Sequence, residues 1–371
     1  MSRTLVIQPW FSALGHPAQS LLNTVTCLAQ GATLDCLVAI APDFPVGAEI
    51  VERLGRHSKV FTYSVSSSSI REGTIRSFRA LREVVAERGH YDRFFFLDAH
   101  LVLLAALWPV FARSFASCRL RCIYLTGPER VLGSSIAAWL VRRFLERREV
   151  GVFLRTEELT DAWRRAFLMV PAERIRYLPS LEIPDADPRP APASPTARLR
   201  FGVLGQIRRG KGLEWLVPLF KGDAALGQLT VVGAFNSADE RAALQVLRDF
   251  EGFHERFLSE QELLAQAVQQ DYLLMLYDAW DPRMESAVLY LAARAHRPVV
   301  AYGDGWCGRM IRTFGCGVLA PKAVGDATGL LHSLPRPGTL EYDRLLAGMR
   351  DFRDAHSCQA LRPKFLEALL A

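Results

Sequence analysis

Short apolar runs alternate with segments of helical periodicity along most of the chain. The runs predict strands at 5–7, 36–40, 59–63, 94–97, 122–125, 150–154, 175–178, 199–204, 229–232, 272–276, 298–301 and 317–319. Between them, apolar residues recur three and four apart, as at Ile75, Phe78, Leu81 and Val85. Strands that alternate with helices predict an α/β fold whose parallel sheets are covered on both faces.

A proline-rich segment divides the chain almost in half. Five prolines fall within residues 184–195. Because proline lacks the N–H group and fixes φ, this segment is predicted to be an extended linker. We therefore predict two Rossmann-like βαβ domains, residues 1–183 and 200–345, joined by a linker at 184–199 and facing a central cleft. Ligands of such domains bind beyond the carboxyl ends of the strands.

Composition and charge exclude several classes of protein. Half of the 371 residues are hydrophobic and 23% are charged, which excludes a disordered or fibrous chain. No apolar run reaches the ~18–20 residues of a membrane helix, so we expect a cytoplasmic protein. Residues 1–186 hold 23 basic and 18 acidic residues, whereas 201–371 hold 19 and 20. With a net charge of only +6 and no nucleic-acid motif, no nucleic-acid partner is expected.

Cysteine spacing gives no indication of a metal. The seven cysteines contain no C-x-x-C pair, which fits free thiols in a reducing compartment and predicts no metal site.

The first candidate motif is the glycine-rich segment 205–212, Gly-Gln-Ile-Arg-Arg-Gly-Lys-Gly, between a predicted strand and a predicted helix. It nearly matches a P-loop, but Gly212 stands where a Ser or Thr would hold Mg²⁺. Glycines and a helix start still favour binding of an anion, and Arg208, Arg209 and Lys211 add positive charge. The alternative is a plain turn with solvated basic side chains.

The second motif is the segment 277–289, again between a strand and a helix. Ser286 is predicted to cap the helix, or to stand beside N–H groups that hold a diphosphate. Glu285 could accept hydrogen bonds from sugar hydroxyls.

In this order and spacing, the two segments resemble the C-terminal half of GT-B glycosyltransferases, nearest the family-4-type enzymes. The resemblance continues through 292–301, which is similar to the family's E-A-x-A-x-G-x-P-V-V stretch, and through glycine loops at 303–306 and 315–318. It covers residues 200–320 well. It implies a GT-B fold with an acceptor domain at 1–183, a nucleotide-sugar domain at 200–345, and C-terminal helices at 346–371 that cross back to the first domain.

The resemblance also assigns residues of the nucleotide site. The family arginine is Gln206 here, so Arg208 or Arg209 would supply its charge, and Lys211 matches the family lysine. Residues 285–289 are similar to a subgroup with S-G-V-L. The resemblance therefore implies that the donor is held by Glu285, Ser286, Ala287 and Val288.

Three positions depart from the family pattern. The paired glutamates fall on Arg283 and Leu291, and the glycine before the proline is His296. Since the second glutamate contacts the nucleotide ribose in the family, these departures leave open a non-catalytic protein that binds a sugar nucleotide or acts as a scaffold. A sugar-nucleotide epimerase is a third hypothesis.

The first half carries two further candidates. Gly15 and His16, in the loop after the first strand, resemble the family's glycine-rich acceptor loop, where the backbone approaches the donor phosphate. His100 follows the strand 94–97, where related enzymes carry a histidine that touches the transferred sugar. The alternative is a satisfied histidine beside the core.

A basic, aromatic stretch at 139–148 completes the candidates. Trp139, Leu140, Phe144 and Leu145 are predicted on one helix face, with arginines over the rest. Such a helix could lie on an anionic membrane surface, or it could be an ordinary solvated helix packed on the sheet.

These observations combine into one expectation. The protein is predicted to transfer a sugar from a nucleotide diphosphate-sugar to a glycan or lipid-linked acceptor, as in polysaccharide biosynthesis. The resemblance implies retention at the anomeric carbon, with no metal and no further cofactor. In this hypothesis His100, Lys211 and Glu285 are the catalytic residues, and the first domain contacts the inner membrane face.

Overall fold

The computed structural model describes residues 3–10, 17–40, 47–66, 69–112, 115, 118–185, 198–235, 237–278 and 281–370. Their contacts form two compact units. The first contains the described residues up to Glu182 together with those from Cys358 onward, and the second runs from Ile183 to Ser357.

The first unit is built on a parallel sheet of seven strands. The strands are β1 (Arg3–Gln8), β2 (Thr33–Ile40), β3 (Lys59–Ser64), β4 (Arg93–Phe96), β5 (Arg119–Tyr124), β6 (Val150–Leu154) and β7 (Ile175–Tyr177). They lie in the order β3-β2-β1-β4-β5-β6-β7. From β1 the strands are added first on one side of the sheet, as β2 and β3, and then on the other side, from β4 to β7. The order reverses between the neighbours β1 and β4, so the carboxyl ends of these two strands form the switch point of this sheet.

Within the described ranges, seven helices connect these strands. They are α1 (Pro17–Ala29), α2 (Gly47–Gly55), α3 (Ile70–Arg88), α4 (Leu101–Phe111), α5 (Glu129–Leu132), α6 (Ser135–Leu145) and α7 (Glu157–Ala166). Every residue of β6 is buried, as expected for a strand covered on both faces.

The second unit repeats the design with six parallel strands. They are β8 (Arg200–Leu204), β9 (Gln228–Gly233), β10 (Phe253–Glu255), β11 (Tyr272–Met275), β12 (Val299–Tyr302) and β13 (Gly317–Ala320), in the order β10-β9-β8-β11-β12-β13. The helices are α8 (Leu213–Gly222), α9 (Ala238–Ala243), α10 (Glu260–Val268), α11 (Ala287–Ala295), α12 (Gly305–Phe314), α13 (Val324–His332) and α14 (Leu340–Ala355). Two parallel sheets flanked by helices confirm the predicted α/β class.

The last helix, α15 (Cys358–Leu370), belongs to the first unit. Its Phe365 and Leu369 are buried in the same core cluster as Leu21 and Val25 of α1. The predicted boundary at 345/346 lies within α14, a continuous helix of the second unit, whereas the contacts divide the chain between Ser357 and Cys358.

The structure differs from the sequence pattern at two elements. Helical periodicity predicts one helix over residues 240–250, but this helix ends at Ala243, because Leu244 leaves the helical region (φ −96°, ψ 50°) and a 3-10 turn at Gln245–Leu247 follows. This bend buries both Leu244 and Leu247 in the core of the second unit. Strand β10 was not predicted, since two of its three residues are exposed and carry no apolar signal.

The predicted face of the basic stretch is wrong for Trp139, although Phe144 and Leu145 share the buried face as predicted. Helix α6 ends at Leu145, and its buried residues are Val141, Phe144 and Leu145. Trp139 is 52% exposed and lies on the opposite side. The register is set by packing against α4, which the periodicity of the stretch alone does not encode.

Candidate functional site

The switch point of the second sheet lies between the neighbours β8 and β11, and the two loops that leave it are in contact. The backbone N–H of Asp278 donates to the Gly210 carbonyl at 2.9 Å. Gly212 has φ +71°, and a Cβ there would lie 2.5 Å from the Leu276 carbonyl oxygen. The structure thus brings the two predicted motifs together at the edge where ligands of α/β sheets bind.

Lys211 is the most unusual side chain at this edge. It is only 6% exposed, and its Nζ donates to the Leu204 carbonyl at 3.3 Å. Within the described part of the chain, no carboxylate is paired with it. Burial, followed by repulsion from Arg208, lowers the pKa of Lys211 to about 7. A buried ammonium that no described carboxylate neutralises, two residues before helix α8, is suited to hold an anion.

This environment predicts an unusual dependence of stability on pH. Because the pKa of Lys211 falls from 10.5 in the unfolded chain to about 7 in the folded one, the unfolded chain binds the extra proton between these values. The contribution of Lys211 to unfolding free energy should therefore rise from pH 7 to pH 10, by at most about 1.4 kcal/mol per pH unit. Urea unfolding of the wild type and of Lys211→Met checks this. The unfolding free energy of the variant should lack this rise between pH 7 and pH 10. If the unfolding free energies of the two proteins change with pH in parallel, the lowered pKa of Lys211 is contradicted.

The other residues of the loop differ in exposure. Gln206 and Arg208 are half-buried, whereas Arg209 is exposed. Arg209 lies beside Glu240, whose Oε2 accepts from the Arg209 backbone N–H at 2.6 Å and lies 3.6 Å from its Nε. Burial lowers the pKa of Arg208, while Tyr277 and Glu240 oppose the decrease. Of the two predicted arginines, Arg208 is the one whose charge acts on Lys211.

The second loop ends in a capped helix. The Ser286 Oγ accepts from the Val288 N–H at 3.3 Å, so Ser286 caps α11, one of the two readings of this residue. The Tyr277 hydroxyl lies 3.3 Å from the same Oγ. Ala287, the first helical residue, is half-buried beside the cap. Glu285 is half-buried and accepts from the Tyr290 hydroxyl at 3.0 Å.

Tyr277 was missed by sequence reasoning. Burial is the main cause that raises its pKa, and Arg208 is among the charges that act on it. The hydroxyl of Tyr277 therefore lies beside the cap of α11, where the charge of Arg208 in the first loop acts on it. Its position two residues after the end of β11 is the signal that could have identified it.

The three departures from the family pattern have separate structural settings. Arg283 makes a bidentate ion pair with Asp281, through Nε at 2.9 Å and Nη2 at 2.8 Å. Leu291 is buried in the core of the second unit. His296 ends α11 with φ +53°, a left-handed conformation in which glycine is favoured.

A third loop lies beside the second. The Trp306 N–H donates to the Pro282 carbonyl at 2.7 Å, and a Cβ at Gly305 would lie 2.0 Å from that carbonyl oxygen. Gly305, with φ +65°, is therefore required for this close approach.

In the first unit, His100 follows β4 at the switch point of its sheet. The ring Nδ1 of His100 accepts from the Leu103 backbone N–H at 3.4 Å, and the backbone N–H of His100 donates to Thr74 Oγ1 at 3.1 Å. Burial, followed by repulsion from Arg71, lowers the pKa of His100, which favours the neutral ring. Asp98, two residues earlier, has φ +58°, which indicates local backbone strain. The other candidates of this half, Gly15 and His16, lie outside the described residues.

Two kinds of feature are absent from the described ranges. No cluster of three or more His, Cys, Asp or Glu residues there could hold a metal ion. No helix among them is both long enough and apolar enough to cross a bilayer.

Comparison with known proteins gives the fold. The sequence matches no protein-family model and no curated protein. The structure is similar to sucrose-phosphate synthase from Thermosynechococcus elongatus, with a TM-score of 0.68 and 13% identity over 99% of this chain and 98% of that one. It is also similar to Anabaena HepE in complex with UDP, with a TM-score of 0.68 and 15% identity over 100% of both chains. The chain has the GT-B fold. A glycosyltransferase from Rickettsia africae matches as well, with a TM-score of 0.67 and 10% identity over 99% and 97%.

The GT-B fold agrees with the strand orders of both units. In each sheet the first strand of the unit lies next to the fourth, so each unit has its own switch point. Lys211 and Ser286 belong to the switch point of the second unit and His100 to that of the first.

Proposed function

We propose that this GT-B protein is a glycosyltransferase that uses a nucleoside diphosphate-sugar as its donor. The observation that carries the proposal is the buried Lys211, without a counter-ion among the described residues, at the start of α8. A leaving diphosphate gains negative charge as the sugar departs, and a cation held in place beside it stabilises that charge. HepE, which has the same fold, is crystallised with UDP and with UDP-glucose, so a UDP-sugar is the first donor to test.

Each site residue has a proposed part in this reaction. Lys211 and Arg208 neutralise the diphosphate, with Gln206 in the same loop. Arg209 is exposed and paired with Glu240.

The start of α11 at Ser286, Ala287 and Val288 offers N–H groups to the phosphates, and the Val288 N–H exchanges its bond to the Ser286 Oγ for one to a phosphate oxygen. Glu285 accepts hydrogen bonds from the sugar, and His100 contacts the reacting sugar.

The finer chemistry is part of the same proposal. We propose retention at the anomeric carbon, no requirement for a metal, and a glycan or lipid-linked acceptor in polysaccharide biosynthesis. A non-catalytic sugar-nucleotide-binding protein is the second candidate, favoured by Leu291, whose apolar side chain fills the position of the second family glutamate.

Incubation with UDP-, GDP- and dTDP-sugars tests the proposal. Thermal stabilisation by one nucleotide class, with slow release of its diphosphate in the absence of acceptor, is expected of the enzyme. Stabilisation without release, even with added glycan acceptors, would favour the non-catalytic candidate. No stabilisation by any of these donors would contradict both.

Replacing His100 with asparagine separates its two roles. Asparagine is itself a good N-cap residue, so the unfolding free energy should change by less than about 1 kcal/mol. Loss of a hydrogen bond to the reacting sugar should still lower kcat/KM at least about tenfold. The exposed His57→Asn is the matched control. Unchanged kcat/KM in His100→Asn would show that His100 only caps α4.

Helix α6 is proposed as the membrane contact of the first unit. Ile136 and Trp139 are 71% and 52% exposed, and Arg142 and Arg143 follow on the same helix. The protein should sediment with phosphatidylglycerol vesicles more than with phosphatidylcholine vesicles. Trp139→Ser should reduce this, and Phe257→Ser, which removes an equally exposed aromatic of the second unit, should not. Equal binding of both variants would contradict the assignment to α6.

A further inference from the structure

The turn that leads from β4 to His100 has a strained backbone. Asp98, in the middle of this turn, has φ +58°. The left-handed region costs free energy for a residue that has a Cβ, even for aspartate, which tolerates it better than most. The conformation therefore persists only because neighbouring groups hold the turn. Strain of this kind is concentrated at functional sites, and this turn lies at the switch point of the first unit.

Two side chains from other elements hold the backbone of the turn. The indole Nε1–H of Trp10, just after β1, donates to the Asp98 carbonyl at 3.1 Å. The backbone N–H of His100 donates to the Oγ1 of Thr74, in α3, at 3.1 Å. The two hydrogen bonds are made at either end of the segment from Asp98 to His100, so together they fix its path.

Thr74 is itself fixed within α3. It is fully buried, and its hydroxyl donates to the Ile70 carbonyl at 2.7 Å. Because a hydroxyl has one hydrogen, only its lone pairs are left, and they accept from His100. The helix has little freedom to move at this point, since a Cβ at Gly73 would lie 1.6 Å from the Pro9 carbonyl oxygen. Thr74 is therefore a rigid acceptor for the turn.

The position of the turn decides what the ring of His100 can do. The ring caps α4, with Nδ1 accepting from the Leu103 N–H at 3.4 Å. In a neutral imidazole the accepting nitrogen carries no hydrogen, so the hydrogen lies on Nε2. The ring then has one donor, the Nε2–H. Because the bond to Leu103 is already long, a small displacement of the turn would break it and release the tautomer.

We propose that Thr74 and Trp10 are positioning residues that hold the strained turn, and with it the Nε2–H of His100, in place to donate to a sugar oxygen. Since Thr74 is fully buried, it acts on a ligand only through the backbone of the turn. The purpose of this arrangement rests on the proposed function, whereas the positioning itself is measurable without any substrate.

Nitrogen NMR of the full chain, labelled at its eight histidines, measures the positioning. The two ring nitrogens of a single neutral tautomer have widely separated shifts, which converge when the tautomers exchange. The spectra are recorded at pH 8, above the titration of an ordinary histidine, and His100→Asn identifies the signals of His100. We expect a hydrogen on Nε2 in the wild type. Thr74→Val and Trp10→Phe should each bring the two shifts closer together.

Two further variants separate positioning from packing. Thr74→Ser keeps the hydroxyl and should retain the wild-type shifts of His100. Thr24→Val is the matched control, because Thr24 is equally buried in α1 and donates to the Ser20 carbonyl at 2.7 Å. It should leave these shifts unchanged. The proposal is overturned if the wild type already exchanges between tautomers, if both Thr74→Val and Trp10→Phe keep its shifts, if Thr74→Ser loses them, or if Thr24→Val alters them as much.

Cleavage of the nucleotide sugar shows whether the positioning serves the reaction. Thr74→Val should slow release of the diphosphate roughly threefold or more, and it should cause no further loss in the His100→Asn background. An equal loss in that background would overturn the proposal, because Thr74 would then act through another group. If the wild type cleaves no nucleotide sugar, the proposed function fails and with it the purpose of this arrangement, whereas the shifts of His100 decide the positioning itself.

Discussion

Lys211→Met is expected to raise the Kd for UDP at least about 30-fold, equivalent to ~2 kcal/mol. Lys211 is the buried cation of the loop after β8, and a diphosphate bound there would supply the counter-ion that the described residues do not. Methionine has a similar volume and no charge, so the site keeps its shape and loses its electrostatic attraction. Calorimetric titration with UDP measures the change.

The fold of this variant should not suffer. A buried ammonium without a carboxylate partner is destabilising, so its replacement by an apolar side chain should preserve or raise the unfolding free energy at pH 7. Lys221→Met is the matched control, because it removes the same charge from an exposed position at the other end of α8. Equal UDP affinity in the two variants would contradict the role given to Lys211.

Gly233→Ala is expected to lower the unfolding free energy by about 3 kcal/mol and to weaken UDP binding as well. A Cβ at Gly233 would lie 1.7 Å from the Gly205 carbonyl oxygen, a distance at which backbone must move. Gly205 begins the loop that carries Lys211, and its N–H donates to the Val232 carbonyl at 2.9 Å. The displacement therefore reaches the proposed phosphate site directly.

Urea unfolding and UDP titration check both effects. Gly222→Ala is the control, since a Cβ at this last residue of α8 meets nothing within 4 Å. Its stability and UDP affinity should stay near those of the wild type. If Gly233→Ala is as stable as Gly222→Ala, the close packing of β9 against the loop that carries Lys211 does not position that loop.

The fold could be predicted because its strands are buried on both faces. In a parallel sheet such strands are continuous apolar runs, as in β6, β11 and β12, and these runs appear in the sequence within a residue or two of their bounds. Elements with weaker patterns were missed or misread. Strand β10 has two exposed residues out of three, and α6 presents Trp139 to solvent because α4 decides which of its faces is covered.

The site could be predicted only in part. The positions of Lys211 and Ser286 after strands, beside glycines and helix starts, indicated the two loops. Their contact through Asp278 and Gly210 required the tertiary structure. The burial of Lys211 and the part played by Tyr277 also depend on side chains that are distant in sequence, so no local pattern could reveal them.

The claim that the second unit binds a nucleoside diphosphate through Lys211 is tested most directly by titration with UDP at pH 8 in two buffers of different ionisation enthalpy. With a pKa of about 7, Lys211 is about nine-tenths neutral at this pH, and binding of a diphosphate should cause its amine to take up a proton. We predict 1:1 binding with uptake of nearly one proton, and no uptake in Lys211→Met. No saturable heat with UDP, GDP or dTDP, or binding without proton uptake, would contradict the claim.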